Sequence, residues 1–214
     1  MKIRTDFKNL SFKKKLQYIW DYYKLAIAAC LLVIYVLCYF IVRHLTYSEP
    51  ELYVAYVNIV MGSETETNII TNSPINLQSY TNLVLTDNTA SLDYSYAYAS
   101  QAKILASIDS QQLDVVIVNE EALAAFAQNG YLCNIKEYLS NASPNLASRL
   151  EAYYVSNLDL STETICEYPM ALDLSCSKYI QDAKFPEKVY LAVIANSSRR
   201  DAVLTYINYL TAIP

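Results

Sequence analysis

Histidine, glycine and cysteine set the chemical limits of this chain, because so few of them are present. His44 is the only histidine, so no Ser-His-Asp or Cys-His triad is available in the rest of the chain, and no His-rich metal site. Gly62 and Gly130 are the only glycines. A phosphate-cradling loop or a dinucleotide turn needs several, so that backbone can approach phosphate closely. No Cys-x-x-Cys pair occurs among the five cysteines. Asp and Glu are plentiful, at 21. A glycosidase-like hydrolase would need two of them across a cleft, and no spacing singles out such a pair. The chain therefore reads as non-enzymatic, with no cofactor and no metal.

Polar residues that follow apolar runs are the better candidates. In open α/β sheets, ligands sit beyond the carboxyl ends of the strands. That points to Asn58 after one run, Asp87 and Asn88 after a second, and Asn119 and Glu120 after a third. Tyr94 and Tyr96, with Tyr98, could add an aromatic platform. Each also has a plain structural role. Asn119 suits a helix N-cap, Glu120 complements a helix dipole, and Asp87-Asn88 suits a turn. Tyrosine is abundant, 21 in all, and suits half-buried surfaces as well as binding faces.

The elements that must position these residues follow from pattern. Glu51–Ile59, Leu83–Thr86, Leu113–Val118, Thr162–Tyr168, Met170–Leu174 and Lys188–Ala195 predict strands. Leu113–Val118 is continuously apolar after Asp114, as expected of a strand covered on both faces. Val60–Asn82 is polar and predicts a loop with a short helical turn at Leu77–Tyr80. Helices are expected at Tyr94–Ser110, with Ala97, Ile104, Leu105 and Ile108 inward, and from Glu120 to Gln128, ended by Asn129-Gly130. Two more are expected at Pro144–Val155 and after a Ser198/Asp201 capping box, the last burying Val203, Leu204, Ile207 and Leu210. Strands alternating with helices predict an α/β domain, doubly wound on one mostly parallel sheet.

Leu25–Val42 is 18 residues without a charge, between Lys24 and Arg43. At 1.5 Å per residue it nearly spans a hydrocarbon core of roughly 30 Å. Residues 1–24 carry seven Lys/Arg against two Asp/Glu, and residues 45–214 carry eight against nineteen. The positive-inside rule places the short basic end in the cytoplasm and the acidic part outside. A cleaved signal peptide is the first rival, but Arg43-His44-Leu45 offers no small-residue cleavage site. A lipobox-like Ile27-Ala28-Ala29-Cys30 is the second, but most of the apolar run follows Cys30. The expected organisation is a basic juxtamembrane segment (1–24), a transmembrane helix (25–42), a linker (43–50) and an extracytoplasmic α/β domain (51–214). Lys13, Lys14, Lys15 and Trp20 either hold an interfacial helix on anionic headgroups or simply set topology. Cys166 and Cys176 could bridge in an oxidising compartment, or remain buried thiols.

Lys103–Leu139, KILASIDSQQLDVVIVNEEALAAFAQNGYLCNIKEYL, resembles extracellular solute-binding proteins of the type 2 periplasmic-binding class. So does Val189–Leu210, VYLAVIANSSRRDAVLTYINYL, with Met170–Ser175 placed where such proteins carry a strand. The resemblance covers about half of the outer domain and implies one lobe where the family has two. It implies an anchored binding module for a small solute or cell-envelope polymer. The alternative is a docking module for a membrane or envelope protein that keeps the fold and has lost the pocket. The acidic exterior argues against nucleic acid.

Overall fold

A computed structural model of the chain describes residues 12–46, 48–85, 94–155 and 168–212, with backbone alone for residues 12, 14–19, 21, 22, 46 and 94. The chain divides into two compact units, Met1–Glu49 and Pro50–Pro214.

Among the described residues the first unit holds one helix, α1 (Phe12–Thr46), of 35 residues. From Phe12 onward the basic segment and the apolar run are one uninterrupted helix of about 52 Å, rather than an interfacial helix followed by a separate span. Tyr23–Leu45 is the stretch long and apolar enough to cross a membrane, a few residues wider at each end than the uncharged run. Lys13 and Trp20 are exposed on it, and only the backbone is described at Lys14 and Lys15.

The second unit is a mixed α/β fold. In chain order it runs β1 (Leu52–Val57), α2 (Ser63–Thr71), β2 (Leu77–Leu83), α3 (Tyr94–Asp109), β3 (Val115–Val118) and α4 (Glu120–Gln128). Then come α5 (Ile135–Ala142), α6 (Pro144–Arg149), β4 (Tyr154–Val155), β5 (Ala171–Asp173), α7 (Lys178–Ala183), β6 (Tyr190–Val193) and α8 (Arg200–Leu210). Among the described residues the six strands lie in the order β2-β1-β3-β6-β5-β4. β1 pairs in parallel with both β2 and β3. β6 runs against β3 and β5, and β4 runs against β5. Four strands thus share one direction, and β6 and β4 oppose it.

Strand alternation sorts side chains into two cores. Leu52, Val54 and Tyr56 of β1 join Val115 and Ile117 under α2, α5, α6, α7 and α8. Ala55 and Val57 join Val116 and Val118 under α3 and α4. Helices therefore cover both faces, the doubly wound arrangement. Each fully buried Val, Leu or Ile contributes about 1.5–3 kcal/mol of transfer free energy. At the centre of the first core the hydroxyls of Tyr56 and Tyr206 meet at 3.1 Å. Burial raises the Tyr56 pKa to about 12, against a smaller lowering by the Tyr206 hydrogen bond.

Several local expectations are corrected. The polar segment 60–82 holds α2 and most of β2, so Leu77–Tyr80 is strand and not a helical turn. β2 lies at the sheet edge with mostly half-exposed side chains, which explains its polar composition. Pro144–Val155 is not one helix: α6 stops at Arg149, and a 3₁₀ turn and β4 follow. The first helix after β2 buries Ile104 and Ile108 but leaves Leu105 exposed and Ala97 half-buried, with Ser100 and Ser107 turned inward instead. Leu204 of α8 is half-buried, and Tyr206 takes the core position. No capping box forms there: the N-cap is Arg199, whose side chain is drawn away to Asp114. Asn119 does cap α4, and Gly130 follows its C-cap at φ 69°. The strand expected at 162–168 falls, except for Tyr168, outside the described residues.

Candidate functional site

The chain runs β1, then β2 on one side, then β3 on the other, so the winding direction switches between β1 and β3. In open sheets the loops on either side of such a switch part and leave a crevice beyond the carboxyl ends. Asn58 and Asn119 are the first residues past those two ends.

Asn58 adopts φ 57°, a left-handed conformation that asparagine tolerates better than most residues. Its Nδ2 donates to the Leu85 carbonyl at 2.6 Å, and the Leu85 N–H donates to its Oδ1 at 2.7 Å. The side-chain amide thereby mimics a strand neighbour and ties β1 to the segment beyond β2. Asn119 is equally engaged: the Ala122 N–H donates to its Oδ1 at 3.0 Å, and its Nδ2 donates to Glu187 Oε2 at 3.1 Å. Both asparagines shape the edge, and their amides are committed to it. Tyr96 stands at the start of α3, and its hydroxyl donates to the Asn82 carbonyl beyond the middle of β2. Tyr96 and Tyr98 are two helical residues apart, hence about 200° around the axis, so they do not form one platform. Asp87 and Asn88 lie outside the described residues, as does the side chain of Tyr94.

Because β6 is reversed, its entry loop arrives at this same edge. Val118 of β3 pairs with Tyr190, and Tyr190 also pairs with Asp173 of β5. The Tyr190 pKa is raised, first by burial and then by the neighbouring charges of Glu120 and Asp173. Glu120 itself is exposed in the first turn of α4. Beside them, Asp173, Gln181, Lys184, Phe185, Glu187 and Lys188 line an open cleft of about 390 Å³ over buried Ile180 and Val189. Asp173 Oδ1 is held by the Ser175 N–H at 2.8 Å. The only ion pair among the described residues is elsewhere, so the exposed Lys184 and Lys188 at the cleft rim pair with no described carboxylate. An apolar floor with both signs of charge at the rim can hold a small polar ligand by matched charges. Among the described residues no cluster of His, Cys, Asp or Glu is placed to hold a metal ion.

That ion pair is at the opposite, amino edge. Asp114, 1% exposed, accepts from the Tyr53 N–H at 3.0 Å and from Ser197 Oγ at 2.6 Å. Arg199 Nη1 lies 3.4 Å from both its oxygens and donates to the Gln111 carbonyl at 2.7 Å. The Arg199 guanidinium also covers the Tyr53 ring at 4.7 Å. This clasp joins β1, β3 and the start of α8. The sequence carried one signal for it: a lone charge, Asp114, at the mouth of a fully apolar run must find a partner.

A second cleft, of about 470 Å³, lies between α6 and α8 around Arg149. Arg149 Nη2 is already committed to Asn208 Oδ1 at 2.7 Å, bracing the two helices. Cys133 and Cys176 are free thiols, and Cys166 lies outside the described residues. Burial raises the Cys133 pKa to about 11, which keeps it a protonated, unreactive thiol at neutral pH.

The chain was compared with protein families, curated proteins and solved structures, and none of them matches it.

Proposed function

We propose that this protein is a membrane-anchored extracytoplasmic binding module of the solute-binding type, built on a single α/β lobe. The observation that carries the reading is the carboxyl edge. A winding switch, two asparagines that brace the loops, and a cleft with unpaired charges come together there. The lining of both signs favours a small zwitterionic or mixed-charge solute, whose charges it can match. The resemblance of Lys103–Leu139 and Val189–Leu210 to type 2 solute-binding proteins supports the same reading. The charge asymmetry about α1 supports a cytoplasmic basic end and an outer domain.

A second reading is favoured by one feature, the outer face of α3. Tyr98 is 65% exposed and Leu105 36%, with Ala102 exposed between them. Such a face suits docking to a membrane or envelope protein.

Both cores lie within Pro50–Pro214, so that unit can be made alone. Its thermal unfolding should be followed against amino acids, short peptides, sugars and cell-wall fragments. A saturable rise in Tm with one class supports solute binding and identifies the chemistry. A folded domain indifferent to the whole panel counts against it and favours the docking reading.

A further inference from the structure

The membrane-spanning stretch of α1 carries a polar atom where it has no partner. Tyr35 stands twelve residues after Tyr23 and ten before Leu45, about 18 Å and 15 Å from the two ends of the stretch. That is the middle of a hydrocarbon core of roughly 30 Å. A tyrosine side chain is too short to bring its hydroxyl to either headgroup layer from there. Unlike serine or threonine, it cannot fold back onto its own helix carbonyls. Tyr35 is 72% exposed and makes no hydrogen bond among the described residues. In hydrocarbon such a hydroxyl is stabilised only by a donor or acceptor from another chain.

We infer that α1 pairs in the membrane with the α1 of a second copy, through the stripe Ala28, Leu31, Tyr35, Cys38, Val42 and Leu45. This rests on the membrane-spanning reading of α1 and is independent of what the outer domain binds. Complementarity of hydrogen-bonding groups selects a second copy. A phenol both donates and accepts, so two of them satisfy each other, as Tyr56 and Tyr206 do in the outer domain at 3.1 Å. Two copies inserted the same way bring identical residues to the same depth, so with Tyr35 on the contact stripe each phenol meets its counterpart. The stripe repeats at intervals of three and four, the spacing of a left-handed helix pair. Cys38 is small and adjacent to Tyr35 on that stripe, which leaves room for close approach. Lys24 continues the stripe at headgroup level, where its ammonium reaches water.

The chain carries its own probes. Cys38 lies on the stripe, whereas Cys30 is roughly 140° around the helix from Tyr35. The full chain in bacterial membranes should first be tested for extraction by alkaline carbonate, then oxidised with copper phenanthroline and the linked peptides read by mass spectrometry. Expected is a chain that stays in the membrane and yields a Cys38–Cys38 dimer. That dimer should be lost in Cys38→Ser, kept in Cys30→Ser, and reduced about threefold in Tyr35→Phe, the size of a typical interhelical hydrogen bond in membranes. A chain released by carbonate defeats the spanning reading, and the pairing with it. A retained chain overturns the pairing alone if Cys30 links as readily as Cys38, if Cys38 links to a different protein, if no link forms, or if Tyr35→Phe leaves the yield unchanged.

Discussion

The two ends of the sheet are built on opposite plans. At the amino edge, Asp114 is sealed from water, and its oxygens are taken by a backbone N–H, a hydroxyl and a guanidinium. At the carboxyl edge the asparagines are committed to loop geometry, while Lys184 and Lys188 are left unpaired above a cleft. A closed network of buried charge constrains conformation and offers nothing to a ligand. An edge with braced loops and unpaired charges keeps its shape and has valence to spare. The two plans stand at opposite ends of one strand, with Asp114 just before β3 and Asn119 just after it.

Breaking the closed edge should have the largest effect. Asp114→Ala leaves the Tyr53 N–H and the Ser197 hydroxyl without their acceptor and Arg199 with the Gln111 carbonyl alone, and a loss of about 3 kcal/mol is expected in urea unfolding. Next in size is an alkaline effect from the core. Tyr56 has its pKa raised from 10.0 to about 12, so folding favours the neutral phenol. Its stabilisation is complete below pH 10 and is lost as pH climbs through about 12, amounting to about 2–3 kcal/mol. Stability measured from pH 9 to 12 should fall in that window, and the slope should flatten in Tyr56→Phe. At the open edge, Asn58→Ala removes both hydrogen bonds to Leu85 and leaves at φ 57° a residue that tolerates the left-handed region less well than asparagine. A cost of about 2 kcal/mol is expected, again by denaturant unfolding. Asn119→Ala removes one cap and should cost about 1 kcal/mol. The smallest structural effect sharpens the contrast most: Lys184→Ala with Lys188→Ala should shift stability by no more than about 0.5 kcal/mol. If the cleft binds a zwitterion, the same pair should abolish the ligand-induced rise in Tm. An intact rise would place binding elsewhere on the domain.

What was legible in the sequence follows from how local each signal is. The strand β3 announced itself by four consecutive buried β-branched residues, and α4 by Asn119 at one end and Asn129-Gly130 at the other. Val203, Ile207 and Leu210 fixed the inward face of α8, but Tyr206 was hidden because its importance lies in a hydroxyl 150 residues away. The second strand was expected at Leu83–Thr86 and lies instead at Leu77–Leu83, because an edge strand needs only half its surface apolar. α2 was missed because it buries little more than Ile69. Asn119 and Glu120 follow a strand end as expected, whereas Asn58 lay inside the strand expected to reach Ile59, which stops at Val57. The cleft from Asp173 to Val189 was not foreseen, because only the reversed direction of β6 brings that loop to the same edge.

The placing of β1 has a mechanical consequence. The linker joins the domain at Glu51, at the amino end of an interior strand held in parallel between two neighbours. A load between that point and anything held at the carboxyl edge runs along the strands. Its backbone hydrogen bonds would then be sheared together instead of being unzipped one by one, with Asp114 acting as a peg on Tyr53 at the point of attachment. A pull between the linker and the carboxyl edge therefore meets the sheet in its most resistant direction.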